Sequence, residues 1–112
     1  MKLVLDTSAV IYIIEKKIDA TQLLEHEIHI PIAVVEEMQK ISVKNRRARV
    51  ALQLLEILRP TLHKKRGPAD RAVLELAKEL GAVLVTGDEA LAERARQEGV
   101  AVGKFHKGQL VV

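Results

Sequence analysis

Two aspartates follow short apolar stretches that have the character of buried strands. Asp6 comes directly after Lys2–Leu5, and Asp88 comes shortly after the β-branched run Val83–Val85. Open α/β sheets bind ligands at the edge where the carboxyl ends of their parallel strands meet. Both carboxylates are therefore predicted to lie at that edge.

Two further acids lie on predicted helices. Glu37 falls about 80° from the centre of the apolar face of its helix, whereas Glu36 lies on the far side. Glu36 is expected to form an exposed ion pair with Lys40, one turn later. In another helix, Asp70 stands one turn before Val73 on the apolar stripe. Of these acids, Glu37 and Asp70 are the candidates to face the core side.

Helix capping is the ordinary explanation for an aspartate in a first helical turn, because its carboxylate satisfies free backbone N–H groups. Asp88 has a competitor for that role. Thr86 and Glu89 have the spacing of a capping box, in which Thr86 caps the helix and Glu89 reaches back. On this interpretation Asp88 is free for other chemistry.

If Asp6, Glu37, Asp70 and Asp88 converge in one cleft, the repulsion between their carboxylates favours either bound protons or a bound cation. An all-oxygen set without cysteine suits Mg²⁺ or Mn²⁺. Hydroxyls of Thr7, Ser8 and Thr86 are candidates to orient the ligands. The histidines are scattered and are interpreted as surface side chains, so no zinc site is expected.

The elements that must position these residues alternate between strand and helix. The 112 residues suffice for one domain, residues 1–112. The alternation predicts an α/β fold of three layers, α/β/α, with a mostly parallel sheet of four to five strands. Residues 59–67 are predicted to be a loop. Strands are predicted at 2–5, 27–30, 83–85, 100–102 and 109–112, and helices after the turn at 6–8, at 31–41, 46–58 and 68–80, and from 88 to about 99.

Composition narrows the function classes. Aromatic residues make up only 2%, Tyr12 and Phe105, so base stacking is not expected as the main binding device. There is no cysteine, which excludes disulfides, thiolate metal sites and a cysteine nucleophile. The longest apolar run, Ala9–Ile14, is too short to cross a bilayer. We expect a cytoplasmic protein without membrane association.

Net charge is only +3, but residues 40–69 hold nine basic side chains and one acid, Glu56. Such a block is either a solvated helix face or a phosphate-binding surface. Composition alone does not decide between them.

Four segments resemble the PIN-domain ribonucleases. They are Val4–Ser8, Val34–Met38, Ala69–Leu74 and Val85–Asp88, and they occur in the family's order along nearly the whole chain. The resemblance implies a parallel sheet flanked by helices and a metal-dependent endonuclease that cleaves single-stranded RNA with Mg²⁺ or Mn²⁺. It implies catalytic roles for Asp6, Glu37, Asp70 and Asp88, with Asp6, Asp70 and Asp88 as metal ligands and Ser8 and Thr86 in the family's polar positions.

The resemblance also bears on partners and biological role. The basic helix and the segment 34–58 favour the archaeal branch related to ribosomal RNA processing over a VapC-like toxin, which would be paired with a small antitoxin protein. A homodimer is implied in either case. If the chain is a nuclease, the basic block is predicted to bind RNA. The residues predicted to contact RNA are Arg46, Arg47, Arg49, Lys64, Lys65 and Arg66.

Two rivals belong to other classes. A phosphoacceptor signalling domain needs an acceptor aspartate on a middle strand, and residues 40–69 contain no aspartate. A catalytically inactive PIN-like module that binds RNA or protein is the second rival. The presence of all four acids argues against it.

Overall fold

The computed structural model describes residues 1–112 and contains one six-stranded sheet flanked by helices. A short 3-10 helix at Ala20–Glu25 precedes the second strand. The strands are β1 Lys2–Leu5, β2 Glu27–Pro31, β3 Thr61–His63, β4 Val83–Val85, β5 Val102–His106 and β6 Gln109–Val111. The helices are α1 Thr7–Glu15, α2 Ile32–Ser42, α3 Arg46–Leu58, α4 Ala69–Leu80 and α5 Glu89–Gln97.

The strand order is β3-β2-β1-β4-β5-β6. All neighbouring pairs are parallel except β5 and β6, which form an antiparallel hairpin. The chain builds outward from β1 to β3 and then returns to place β4 on the other side of β1. The gap between β1 and β4 is therefore the topological switch point, where sheets of this kind leave a crevice at the carboxyl ends of the strands.

The burial of the β1 side chains fits the central position of this strand in the sheet. Leu3, Val4 and Leu5 are fully buried, as expected for a strand covered on both faces. In α4, Val73 and Leu76 belong to the same buried cluster. None of the helices is long and apolar enough to span a lipid bilayer.

The predicted mostly parallel α/β sheet is confirmed, but it has six strands instead of four or five. The predicted loop at 59–67 contains β3, a strand of three residues at the sheet edge. An edge strand has little core contact, and Leu62 at its centre is exposed, so no apolar alternation marks it. The strand predicted at 100–102 begins instead at Val102 and runs to His106.

Candidate active site

Asp6 occupies the N-cap of α1, immediately after the central strand. Its side chain is buried, with 6% of the residue exposed. One carboxylate oxygen accepts hydrogen bonds from the backbone N–H of Ala9 and the hydroxyl of Ser8, both at 2.8 Å. The other accepts from the hydroxyl of Thr86 at 2.5 Å. The carboxylate is thus held in one orientation by residues that follow both strands of the switch point.

Burial raises the pKa of Asp6, and the nearby Asp88 carboxylate adds to this effect. The hydrogen bonds from Thr86, Ala9 and Ser8 act in the opposite direction, but burial outweighs them. No lysine or arginine forms an ion pair with either Asp6 or Asp88. Asp6 is buried and Asp88 is exposed, and neither carboxylate has a basic partner within the chain.

Asp88 follows β4 and is the N-cap of α5. One of its oxygens accepts from the backbone N–H groups of Ala90 at 2.9 Å and Leu91 at 3.1 Å. Its own N–H donates to the Thr86 hydroxyl at 3.0 Å. The capping-box interpretation is therefore wrong: Asp88 itself caps the helix, and Thr86 lies two residues before this cap. The second carboxylate oxygen of Asp88 forms no hydrogen bond within the protein.

Thr86 and Ser8 tie the two acidic turns together. The Thr86 hydroxyl lies between the Asp6 carboxylate and the Asp88 N–H, while Gly87 donates its N–H to the Ser8 oxygen at 3.1 Å. These contacts fix the turn after β1 against the turn after β4. The hydroxyl of Thr7 is buried without a hydrogen-bond partner, so it does not orient either acid.

Glu37 lies on α2 and faces this region. It lines a cleft of about 400 Å³ together with Ser8 and Gly87, and also a second cleft on the α4 side. Glu36, the preceding residue, lines the second cleft but not the first. The expected pair between Glu36 and Lys40 is absent, because Glu36 accepts from Arg66 at 2.8 Å instead.

Asp70 lies in the first turn of α4, but its side chain is 58% exposed. The expectation that it sits on the buried stripe is therefore wrong. The buried face of α4 is centred on Ala72, Val73 and Leu76, and Asp70 stands at its border. Its carboxylate lies 3.9 Å from Arg94 on α5, the neighbouring basic residue.

Three or more acids do not form a preassembled metal cluster in this structure. What the fold does bring together is Asp6 and Asp88, bridged by Thr86. That pair still fits a hard divalent cation, because Mg²⁺ is commonly bound through one or two carboxylates and completes its shell with water and substrate phosphate. The metal-ligand and catalytic roles of Glu37 and Asp70 stay predictions.

Most of the predicted RNA-contacting residues have partners within the chain. Arg46 and Lys64 are exposed and form no ion pair. The other four contact acids or a carbonyl: Arg47 lies 3.9 Å from Glu15, Arg49 donates to the Ser42 carbonyl at 2.9 Å, Lys65 to Glu79 at 2.6 Å and Arg66 to Glu36 at 2.8 Å.

The interpretation of the histidines as surface residues is wrong for His29. It is buried on β2, and its Nδ1 lies 2.9 Å from Nε2 of His63 on β3. Burial and the neighbouring His29 lower the pKa of His63. The pair was invisible in the sequence because β3 itself was not predicted.

Comparisons with known proteins bear on the family and the fold of this chain. The chain matches a family described as a PIN-like domain over residues 3–107. Ribonuclease VapC9 of Archaeoglobus fulgidus is 32% identical over 117 residues, which cover 96% of this chain and 85% of that protein. The chain therefore belongs to the PIN-domain family, as the sequence resemblance predicted.

Solved structures share the fold. The PIN domain endonuclease Utp24 superimposes with a TM-score of 0.83 at 20% identity, over 97% of this chain and 88% of that one. VapBC2 from Rickettsia felis, solved with a DNA fragment from its promoter, gives a TM-score of 0.67 at 18% identity, over 95% and 100% of the two chains. At these identities the likeness concerns the fold alone.

Proposed function

We propose that this protein is a divalent-metal-dependent endoribonuclease that hydrolyses phosphodiester bonds of single-stranded RNA. The observation that carries the proposal is the buried Asp6 carboxylate, held beside Asp88 at the switch point with no basic partner. Burial of this carboxylate is costly and no basic side chain offsets it, which supports a bound cation as its partner. The 32% identity to Ribonuclease VapC9 supports the substrate class.

Asp6 and Asp88 are the residues that would hold Mg²⁺ or Mn²⁺, and Asp70 is proposed as a third ligand at the exposed side. A divalent cation bound there supplies Lewis-acid neutralisation of the charge on the phosphodiester. The protein's own part is to fix the ligands before substrate arrives. Thr86 and Ser8 do this by holding Asp6 through hydroxyl hydrogen bonds.

Glu37 is proposed to accept a proton from the attacking water. It lines the same cleft as Ser8 and Gly87 and has no ion-pair partner to hold it elsewhere. A carboxylate base within reach of a water beside the phosphate is the usual requirement for this role.

The basic surface is proposed to hold the flanking RNA backbone. Arg46 and Lys64 are the best candidates because neither has an ion-pair or hydrogen-bond partner to give up, whereas Arg49 donates to the Ser42 carbonyl. The paired residues Arg47, Lys65 and Arg66 must first exchange a carboxylate for a phosphate. Backbone contacts of this kind provide little sequence discrimination.

Two biological roles remain compatible with this activity. The basic helix favours ribosomal RNA processing, as proposed from the sequence, and the identity to Ribonuclease VapC9 favours a toxin paired with an antitoxin protein. An antitoxin reading frame immediately upstream of the coding sequence would support the toxin. A homodimer is proposed for either role and is tested by light scattering of the purified protein.

The activity is tested by incubating the purified protein with single-stranded RNA and Mn²⁺ or Mg²⁺. Cleavage is expected, and it should be abolished by EDTA and by Asp6→Asn. Asp19→Asn is the matched control, because Asp19 is an exposed cap of the 3-10 helix. Cleavage that persists in both EDTA and Asp6→Asn would contradict the proposal, since neither the metal nor its ligand would then be needed.

A further inference from the structure

A separate cleft of about 240 Å³ opens beside the Thr86–Gly87 turn. It exists because β5 is longer than its partner: the pairing with β4 ends at Gly103, while β5 continues to His106 in the hairpin with β6. The overhanging end of β5 forms a wall next to the turn that carries Asp88. The lining of the cleft includes Tyr12, Thr86, Glu89, Lys104, Phe105 and His106.

The cleft brings together the one tyrosine and the one phenylalanine of the chain. Tyr12 on α1 and Phe105 on β5 stack with ring centroids 6.4 Å apart and planes inclined by 17°. Tyr12 remains 36% exposed, so part of its ring is not used in the core. Exposed aromatic rings beside a phosphate-binding site are the common platform on which nucleic-acid bases stack.

The charges of the cleft suit one end of a nucleotide. Lys104 is exposed and forms no ion pair, and His106 lies on the same strand. Glu89, on the first turn of α5, is the one acid in the lining. A phosphate is therefore favoured on the Lys104 side of the cleft, away from Glu89.

The position of Tyr12 links this cleft to the acids. Tyr12 also lines the cleft that contains Ser8 and Glu37, so its side chain lies between the two clefts. The cleft volume lies below the range of about 300–1,000 Å³ that is usual for pockets of drug-sized ligands. The volume of the cleft suits one nucleotide unit. Its position suits a nucleotide next to the phosphodiester bond that the acids would hydrolyse.

We propose that this cleft is a subsite for one nucleotide of single-stranded RNA, whose base stacks on Tyr12, backed by Phe105, and whose phosphate contacts Lys104. The subsite rests on the proposed ribonuclease function and deepens it. It adds a stacking contact to a protein whose composition did not lead us to expect one.

The chain offers a direct probe, because it contains one tyrosine and no tryptophan. Intrinsic tyrosine emission therefore reports on Tyr12 alone. A ten-residue oligoadenylate is titrated in EDTA, so that no cleavage occurs, and free tyrosine amide serves as the control for absorption by the RNA. We expect the oligoadenylate to quench Tyr12, and an abasic ribose-phosphate oligomer of equal length to leave its emission unchanged.

Variants separate stacking from charge. Tyr12→Leu is expected to bind oligoadenylate about tenfold more weakly and to lose the preference over the abasic oligomer. Tyr12→Phe retains a ring and should retain the preference. Lys104→Gln should weaken both oligomers alike, whereas Lys2→Gln, at the opposite end of the sheet, should weaken neither.

The outcomes distinguish the subsite from the activity. RNA cleavage with equal affinity for the two oligomers, or equal binding by Tyr12→Phe and Tyr12→Leu, overturns the subsite and leaves the nuclease standing. Base-dependent quenching in a protein that never cleaves RNA supports the subsite and overturns the nuclease. Absence of binding to either oligomer overturns the subsite.

Discussion

Replacing Thr86 by valine tests whether one hydroxyl holds the candidate site together. Valine has nearly the same shape but removes the donor to Asp6 at 2.5 Å and the acceptor for the Asp88 N–H at 3.0 Å. Loss of a hydrogen bond to a charged group costs about 1.5–3 kcal/mol. The Asp88 N–H lies near the surface, where water replaces the lost acceptor, so its contribution is small.

We therefore expect Thr86→Val to lower the free energy of unfolding by about 2–3 kcal/mol. For a domain of this length that corresponds to a decrease of about 10 °C in the melting temperature. The measurement is thermal or urea unfolding in EDTA, with Thr86→Ser as the control that keeps the hydroxyl. Equal stability of the valine and serine variants would refute the assigned role of the hydroxyl.

The pH dependence of this variant follows from the sign of the Asp6 shift. Burial raises the pKa of Asp6 in the folded state, so the stability that this group contributes is present at low pH and is lost as pH rises through the folded pKa. Removing the Thr86 hydrogen bond raises the pKa of Asp6 further. The acid limb of the cleavage profile should move to higher pH in Thr86→Val and stay in place in Thr86→Ser.

Three other outcomes are expected. Asp6→Asn should raise the melting temperature at neutral pH in EDTA, because no charge is then buried, and Mg²⁺ should raise the melting temperature of the wild type but not of this variant. The double variant Arg46→Ala, Lys64→Ala should reduce the slope of log K against log salt concentration for single-stranded RNA binding by about 1.4. An unchanged slope would mean that neither residue contacts RNA phosphates. Gly103→Ala should cost about 1–3 kcal/mol in urea unfolding, because its Cβ would lie 3.1 Å from the Val111 carbonyl oxygen; stability equal to wild type would mean that β6 shifts freely.

The sequence predicted those parts of the fold that local patterns encode. Helix α3 begins and ends at the predicted residues 46 and 58, because Asn45 caps it and Pro60 follows its end. Gly81 ends α4 in the left-handed conformation that its type favours. Strand β3 was missed because an exposed edge strand of three residues carries no apolar periodicity.

Local sequence patterns also predicted part of the candidate site. Asp6 and Asp88 follow buried strands, and the sheet order brings those strands together. The exposure of Asp70 depends on how α4 packs, which helical spacing fixes only to within part of a turn. The contact between Tyr12 and Phe105 depends on the overhang of β5, a tertiary feature with no local signal.

The pairing of β1 with β4 has a consequence for synthesis on the ribosome. Leu3 and Leu5 align with Val83 and Val85, so β1 completes its pairing only after about 80 further residues have been synthesised. A nascent polypeptide shorter than this has Asp6 but neither Thr86 nor Asp88 beside it. Nascent chains that end before Thr86 therefore lack the paired carboxylates, and the proposed ribonuclease activity requires synthesis to pass the turn after β4.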